Sequence, residues 1–105
     1  MTDAEINLAI AKIEYPDHKI KPWIDSVTVT PVGHPSIRGI DYMEWCWIGP
    51  IIEREKIKLT SSEGFDWKAT MVKPRDELTY GVWSEHAETP TRAAALCFVS
   101  YLYSK

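Results

Sequence analysis

The run from Trp45 to Leu59, WCWIGPIIEREKIKL, constrains the fold more than any other stretch, because an apolar helical pattern passes through a charged segment into strand-like alternation. Met43, Trp47, Ile48, Ile51 and Ile52 line one helical face between Tyr42 and about Arg54 or Glu55, with Asp41 placed to cap it. Gly49-Pro50 interrupts that face. Proline lacks an amide proton and crowds the preceding turn, so either the helix kinks or it starts afresh with Pro50 in its first turn; the fresh start is the expectation. Ile57 and Leu59 then alternate with Lys56, Lys58 and Thr60, which predicts a strand with one buried face.

The rest of the chain reads in the same terms. Thr2-Asp3-Ala4-Glu5 fits a capping box, and Ile6, Ala9, Ile10 and Ile13 share a face, so a helix is expected over about 3–14 with Pro16 preventing its continuation. Tyr15 to Pro22 is polar and bounded by prolines. Val27-Thr28-Val29-Thr30 predicts a short strand, and the turn residues crowded between Pro31 and Gly39 predict a loop. Ser61 to Gly64 turns into Phe65–Met71, whose odd positions are apolar, giving a hairpin with one buried face. After a turn at Pro74-Arg75-Asp76, Tyr80–Glu85 is a further strand with either Val82 or Trp83 inside. Thr89-Pro90 opens a last helix, along which Ala93, Ala94, Cys97, Phe98, Tyr101 and Leu102 form a stripe. The expected architecture is a single α+β domain over 1–105, a small mostly antiparallel sheet packed by helices in the order α-β-α-β-β-β-α.

At 105 residues the chain is large enough to bury roughly 60–68% of its unfolded surface, so neither disulfide nor metal is needed to hold it. Its 45% hydrophobic and 26% charged residues are an ordinary globular balance. A net charge of −3 gives no overall positive field to gather phosphates, which weighs against general nucleic-acid binding. Cys46 and Cys97 sit in apolar segments, away from any zinc-ligand spacing, and read as buried reduced thiols. The acidic start lacks a basic, apolar leader and no stretch approaches ~20 apolar residues, so a cytoplasmic protein without a membrane span is expected.

No phosphate-cradling glycine loop, nucleophile elbow or paired-histidine metal motif is present in the sequence. His18, His34 and His86 would have to approach a cysteine in space to build a nucleophile pair, and thiols in apolar stripes read as packing. His34 reads as a loop histidine. Glu53 and Glu55, or Asp76 and Glu77, offer paired carboxylates, but solvated faces explain them more simply, with Glu53 supporting Lys56 at helical spacing. No enzyme activity, cofactor or metal is expected. The aromatics are the more informative group. Trp67 reads as core, whereas Trp45 and Trp47 stand ~200° apart on a helix and cannot both be inside. Of Trp23, Trp45, Trp47 and Trp83 at least one is expected at the surface, where an indole beside Arg54 and Glu53 has the composition of a binding hot spot; the alternative is that the large side chains fill both faces of one sheet.

Thr2-Asp3-Ala4-Glu5-Ile6-Asn7 with Ala9 and Ala11, Gly49-Pro50-Ile51-Ile52-Glu53-Arg54 with Ile57 and Leu59, and Trp67-Lys68-Ala69 followed by Thr89-Pro90 and Arg92-Ala93-Ala94 together resemble the NinX-like family of small tailed-phage proteins. The last helix is also similar to that of phage α-β-α sandwich domains. The resemblance covers most of the chain except Trp23 to Tyr42, and Trp47 stands where such proteins carry a small residue. It implies a phage or prophage origin, hence the cytoplasm of an infected or lysogenic host, and supplies no catalytic residues.

Two functions are expected from these features. One is a non-enzymatic accessory protein that binds or inhibits a host or phage protein through Trp23, Trp45, Trp47, Trp83, Glu53 and Arg54. The other is a nucleic-acid-associated protein of phage replication or recombination, with Lys56, Lys58, Lys68, Lys73 and Arg75 as a local basic patch and Lys56 and Lys58 on one strand face. A small-molecule or catalytic pocket beside Trp67 and Cys97 is a third, weaker possibility.

Overall fold

The Thr2 hydroxyl accepts from the Glu5 amide (3.2 Å) and the Glu5 carboxylate accepts from the Thr2 amide (3.0 Å), so the chain enters its first helix through a complete capping box. The computed structural model describes residues 1–30, 38–61 and 66–104. Helix α1 (Asp3–Glu14) has the bounds its sequence predicts. Three strands follow, β1 (Lys19–Trp23), β2 (Ser26–Thr30) and β3 (Arg38–Ile40), then α2 (Trp45–Glu55), three more strands, β4 (Lys58–Ser61), β5 (Trp67–Pro74) and β6 (Tyr80–Ala87), and α3 (Pro90–Tyr103).

The α+β class and the expected order of elements hold. The first β position holds a three-stranded antiparallel sheet, β1-β2-β3, separate from the antiparallel sheet β4-β5-β6. In the first, Val27 pairs with both Pro22 and Ile40, so the expected strand is central and its two partners flank it. Pro22 belongs to an edge strand, where a missing amide proton breaks no ladder. The loop expected over 31–39 gives way at Arg38 to β3; residues 31–37, with His34, and the turn at 62–65 lie outside the described residues.

Helix α2 corrects a second expectation, since it runs unbroken through Pro50 instead of restarting there. The bond proline cannot make would run to the carbonyl of Cys46. Both residues are exposed, so water can take that carbonyl. Asp41 does not cap the helix either. The N-cap is Glu44, which makes no side-chain cap bond, while Asp41 Oδ1 accepts from the Met43 amide (3.0 Å) in the preceding turn. The helix ends on Lys56, which adopts a left-handed conformation (φ 57°) and therefore lies before β4, not on a strand face shared with Lys58.

The core joins the two sheets through helices. Ile6, Ile10 and Ala11 of α1 are buried, as are Val27, Val29 and Ile40 of the first sheet, against which α1 packs. Helix α3 packs on β5, β6, α1 and α2 and buries Ala93, Ala94, Ala95, Cys97, Phe98 and Val99, so it is enclosed on most sides and the expected stripe is only part of its contact. Its start is as predicted, with the Thr89 hydroxyl accepting from the Arg92 amide and Pro90 in the first turn. In β5 the odd positions Ala69 and Met71 are buried; in β6 Trp83 lies inward and Val82 is 61% exposed.

One buried polar side chain links α1 to the loops. Asn7 is fully buried; its Nδ2 donates to the Asp25 carbonyl (2.6 Å) and Asp41 Oδ1 (3.0 Å), and its Oδ1 accepts from the Tyr42 amide (2.6 Å). Asn7→Leu strands the buried Tyr42 amide and is expected to cost ~1–3 kcal/mol in urea unfolding. Asn7→Asp should be worse at neutral pH, because a carboxylate then faces Asp41 and the Asp25 carbonyl. Its deficit should shrink as pH falls through the carboxylate range and the new group becomes a donor.

Candidate functional site

The β1-β2 hairpin turns in two residues, since Trp23 pairs with Ser26. Ile24 takes the first turn position at φ 51°, a conformation a β-branched side chain adopts only under strain. Trp23 is 64% exposed and Ile24 80% exposed, so two large apolar side chains stand in water at the tip. The tip is held from below through the Asp25 carbonyl on Asn7, and the Ser26 hydroxyl donates to the Trp23 carbonyl (3.1 Å). Because β3 runs antiparallel to β2, it delivers Ile40, Asp41 and then α2 to this same end of the sheet. Trp45, the first residue of α2, is 55% exposed, and Trp47 is half-buried against the core, as their angular separation requires. Ile24 carried no chemical signal in the sequence; only the turn's backbone reveals it.

Arg54 and Glu53 diverge in role. Arg54 grips Glu14 of α1 with both nitrogens (2.6 and 3.2 Å), donates to Glu55 (3.1 Å) and lies 5.8 Å from the Phe98 ring, so it staples α2 to α1 and α3. The Glu14 hydrogen bonds favour its charged form. Glu53 is exposed and takes no part in the ion pairs among the described residues.

The five cations expected to form one patch are separated. Lys58 and Lys68 share the open face of β4-β5-β6 with Thr60, Thr70, Ser84 and His86, a face whose strand residues include no carboxylate. At its other end Val72, Val82 and Tyr80 are exposed. Lys73 belongs to the opposite face, 3.6 Å from Glu55, and Arg75 lies over Trp83. Trp83 is half-buried, its ring 4.9 Å from that of Tyr101 at 76°. Trp67 is partly buried against the core.

Concavities among the described residues include the following. One of about 630 Å³ lies between Asp3, Met43, Glu88 and Thr91, but its cation is occupied, since Arg92 donates to Asp3 (2.9 Å) and the Met1 carbonyl (2.6 Å). A second of about 280 Å³ includes Tyr42, Cys46 and Arg54, and burial pushes the Tyr42 phenol's pKa upward. The third, about 550 Å³, is lined by Lys73, Arg75, Trp83 and Tyr101. No group of three His, Cys, Asp or Glu placed to hold a metal occurs among the described residues. Likewise, no helix there is long and apolar enough to cross a membrane.

The cysteines differ, which corrects the expectation that both are buried. Cys46 is exposed beside Glu44, whereas Cys97 is buried and donates to the Trp83 carbonyl (3.3 Å); neither thiol hydrogen-bonds a histidine among the described residues. Burial, then the nearby Glu85, pushes the Cys97 thiol up to about 12. A thiol reagent at pH 8 is therefore expected to modify one cysteine quickly in the folded protein and both in denaturant. Cys46→Ser should remove the fast phase.

The geometry thus presents apolar surface and scattered cations on a frame tied by buried polar contacts. Curated proteins include no match to the chain. The family model described as Bacteriophage P22, NinX matches residues 1–101. That span takes in the capping box, the Gly-Pro-Ile-Ile-Glu-Arg helix and the Thr-Pro helix start, and the chain belongs to the bacteriophage P22 NinX family and is a phage accessory protein.

Proposed function

We propose that this phage protein is a non-enzymatic binding domain that engages a host or phage protein through the end of its first sheet, with Trp23, Ile24 and Trp45 as anchors. The observation that carries this reading is the hairpin tip: two exposed apolar side chains at a strained turn, fixed by a buried amide. Strain of this kind survives where the surroundings impose it, and such sites cluster at ligand clamps. A side chain carried on backbone already fixed leaves no main-chain freedom to be lost on docking, so more of its burial appears as affinity. Inhibition of the partner follows if the tip covers a working surface.

The test pairs stability with capture. With a photo-crosslinking residue placed at position 25 during infection, Trp23→Ala and Trp45→Ala should each lower the yield of the crosslinked partner about tenfold without changing the unfolding midpoint appreciably. Ile24→Gly should raise stability by about 1 kcal/mol, because glycine accepts positive φ, yet weaken capture through loss of the side chain. An undiminished crosslink in both tryptophan variants rejects the surface.

The nucleic-acid alternative rests on Lys58 and Lys68 on an open sheet face whose strand residues include hydroxyls and no carboxylate. It predicts DNA or RNA binding that falls steeply with salt and disappears in Lys58→Glu/Lys68→Glu; no binding even at low salt removes it.

A further inference from the structure

We infer that the cleft between the β5-β6 turn and the C-terminal end of α3 is a binding site for a nucleoside phosphate, separate from the hairpin tip. The cavity, about 550 Å³, is lined by Lys73, Pro74, Arg75, Trp83, Tyr101 and Ser104, and so by two cations, two aromatic rings and, among the described residues, no carboxylate. Its volume lies within the ordinary range for small-ligand sites. In a chain of net charge −3, such a concentration of positive charge in a concave place is a local feature that the overall field does not explain.

The site is built from the backbone up. Asp76 Oδ1 accepts from the Leu78 and Thr79 amides (both 2.9 Å), and the Arg75 amide donates to the Thr79 carbonyl (3.0 Å), so the turn carrying Arg75 is closed on itself. These bonds, the Leu78 amide first, hold the Asp76 carboxyl below its usual pKa and keep it a charged acceptor. Gly81 lies against two of the lining side chains. A Cβ there would collide with the Trp83 ring and come within 2.8 Å of Arg75 Nε, so indole and guanidinium both rest where only a bare Cα leaves room. Trp83 and Tyr101 meet at 76°, with Arg75 over the indole and Lys73 over the Tyr101 ring, so a planar ring stacks in that corner as the two cations turn from the aromatic rings to its phosphate.

Charge assigns the polarity of the ligand. The Arg75 guanidinium lies 5.8 Å from the indole ring and has no carboxylate within 4.0 Å among the described residues, leaving its fork for a phosphate. Lys73 Nζ, 6.0 Å from the Tyr101 ring, supplies the second charge; its partner Glu55 also accepts from Arg54 and stays paired if Lys73 turns to the ligand. The last carbonyls of α3 carry partial negative charge, which sets the phosphate at the Arg75 end and directs the amino edge of a base toward the helix terminus. The phosphate can belong to a free nucleotide or to the phosphorylated end of a strand, since the recognising chemistry is the same.

Titration of the full chain with AMP, adenosine, inorganic phosphate and a short oligonucleotide with or without a 5′ phosphate tests the site. Readouts are calorimetry and the NMR shift of the Trp83 indole N–H. AMP or the phosphorylated oligonucleotide is expected to bind with a Kd below about 1 mM, shifting that resonance, and Arg75→Gln should weaken binding about tenfold or more while the unfolding midpoint stays close to wild type. Binding of AMP identifies a free nucleotide as a sufficient ligand, and binding of the phosphorylated oligonucleotide alone identifies a strand end. The inference is overturned if neither moves the Trp83 resonance at roughly 10 mM, if adenosine or inorganic phosphate binds as well as AMP, or if Arg75→Gln binds like the wild type. Loss in Lys73→Gln with full retention in Arg75→Gln also overturns it.

Discussion

The side-chain amide of Asn7 ties helix α1 to the hairpin turn and to the exit of β3, which the β2-β3 ladder brings side by side. Its three hydrogen bonds reach Asp25, Asp41 and Tyr42, across sequence separations of 18, 34 and 35. A buried amide is costly to leave unpaired, so the hairpin tip, the exit of β3 and the approach to α2 must all arrive together for the helix face to be buried at all. The apolar contacts of Ile6 and Ile10 supply most of the gain, roughly 1.5–3 kcal/mol for each fully buried side chain. They are, however, non-directional. Only the amide fixes where the strained turn at Ile24 sits relative to α1.

The other half of the molecule is organised by a helix with little polarity of face. Alanines at 93, 94 and 95 permit close approach on more than one side, and Phe98 and Cys97 fill space between α2, α1 and β5-β6. A central helix of this kind tolerates polar atoms only when they are matched. The Cys97 thiol therefore donates to the Trp83 carbonyl, and Ser100 donates to Glu85 at 2.6 Å. At its start Arg92 bonds Asp3 and the Met1 carbonyl, tying the first turn of α3 to the N-terminal end of the chain.

Legibility in the sequence followed the range of the interaction. Local chemistry was readable: the Thr2-Glu5 box, the Thr89-Pro90 start and the odd-numbered inward face at Ala69 and Met71 need only a few neighbours. What depended on placement was not. Tyr15 to Pro22 reads as a polar, proline-bounded stretch, and only the position of Lys19–Trp23 at a sheet edge makes Pro22 acceptable in a strand. Pro50 remains inside α2 because the carbonyl it orphans is at the surface, and the same geometry exposes Cys46. Of the candidate surface, the tryptophans could be named from the sequence. The division of Lys58 and Lys68 from Lys73 and Arg75 follows from strand alternation, once Lys73 is known to lie inward and Lys56 to end a helix.

That division bears on how the two proposed surfaces relate. The hairpin tip belongs to β1-β2-β3 and is braced by α1, whereas the Arg75–Trp83 cleft belongs to β5-β6 and α3; no strand is shared between the sheets. Their mechanical link is the packing of α1 on α3. Side chains in such an interface are close-packed and transmit displacement only if a helix shifts as a unit, and α2 opposes this through the Arg54 fork on Glu14 and the contact with Phe98. Substitutions confined to the tip and to the cleft share no partner residue, so their effects on stability should add. Any coupling between the two has to cross the packed helices, where Arg54 of α2 touches both α1 and α3.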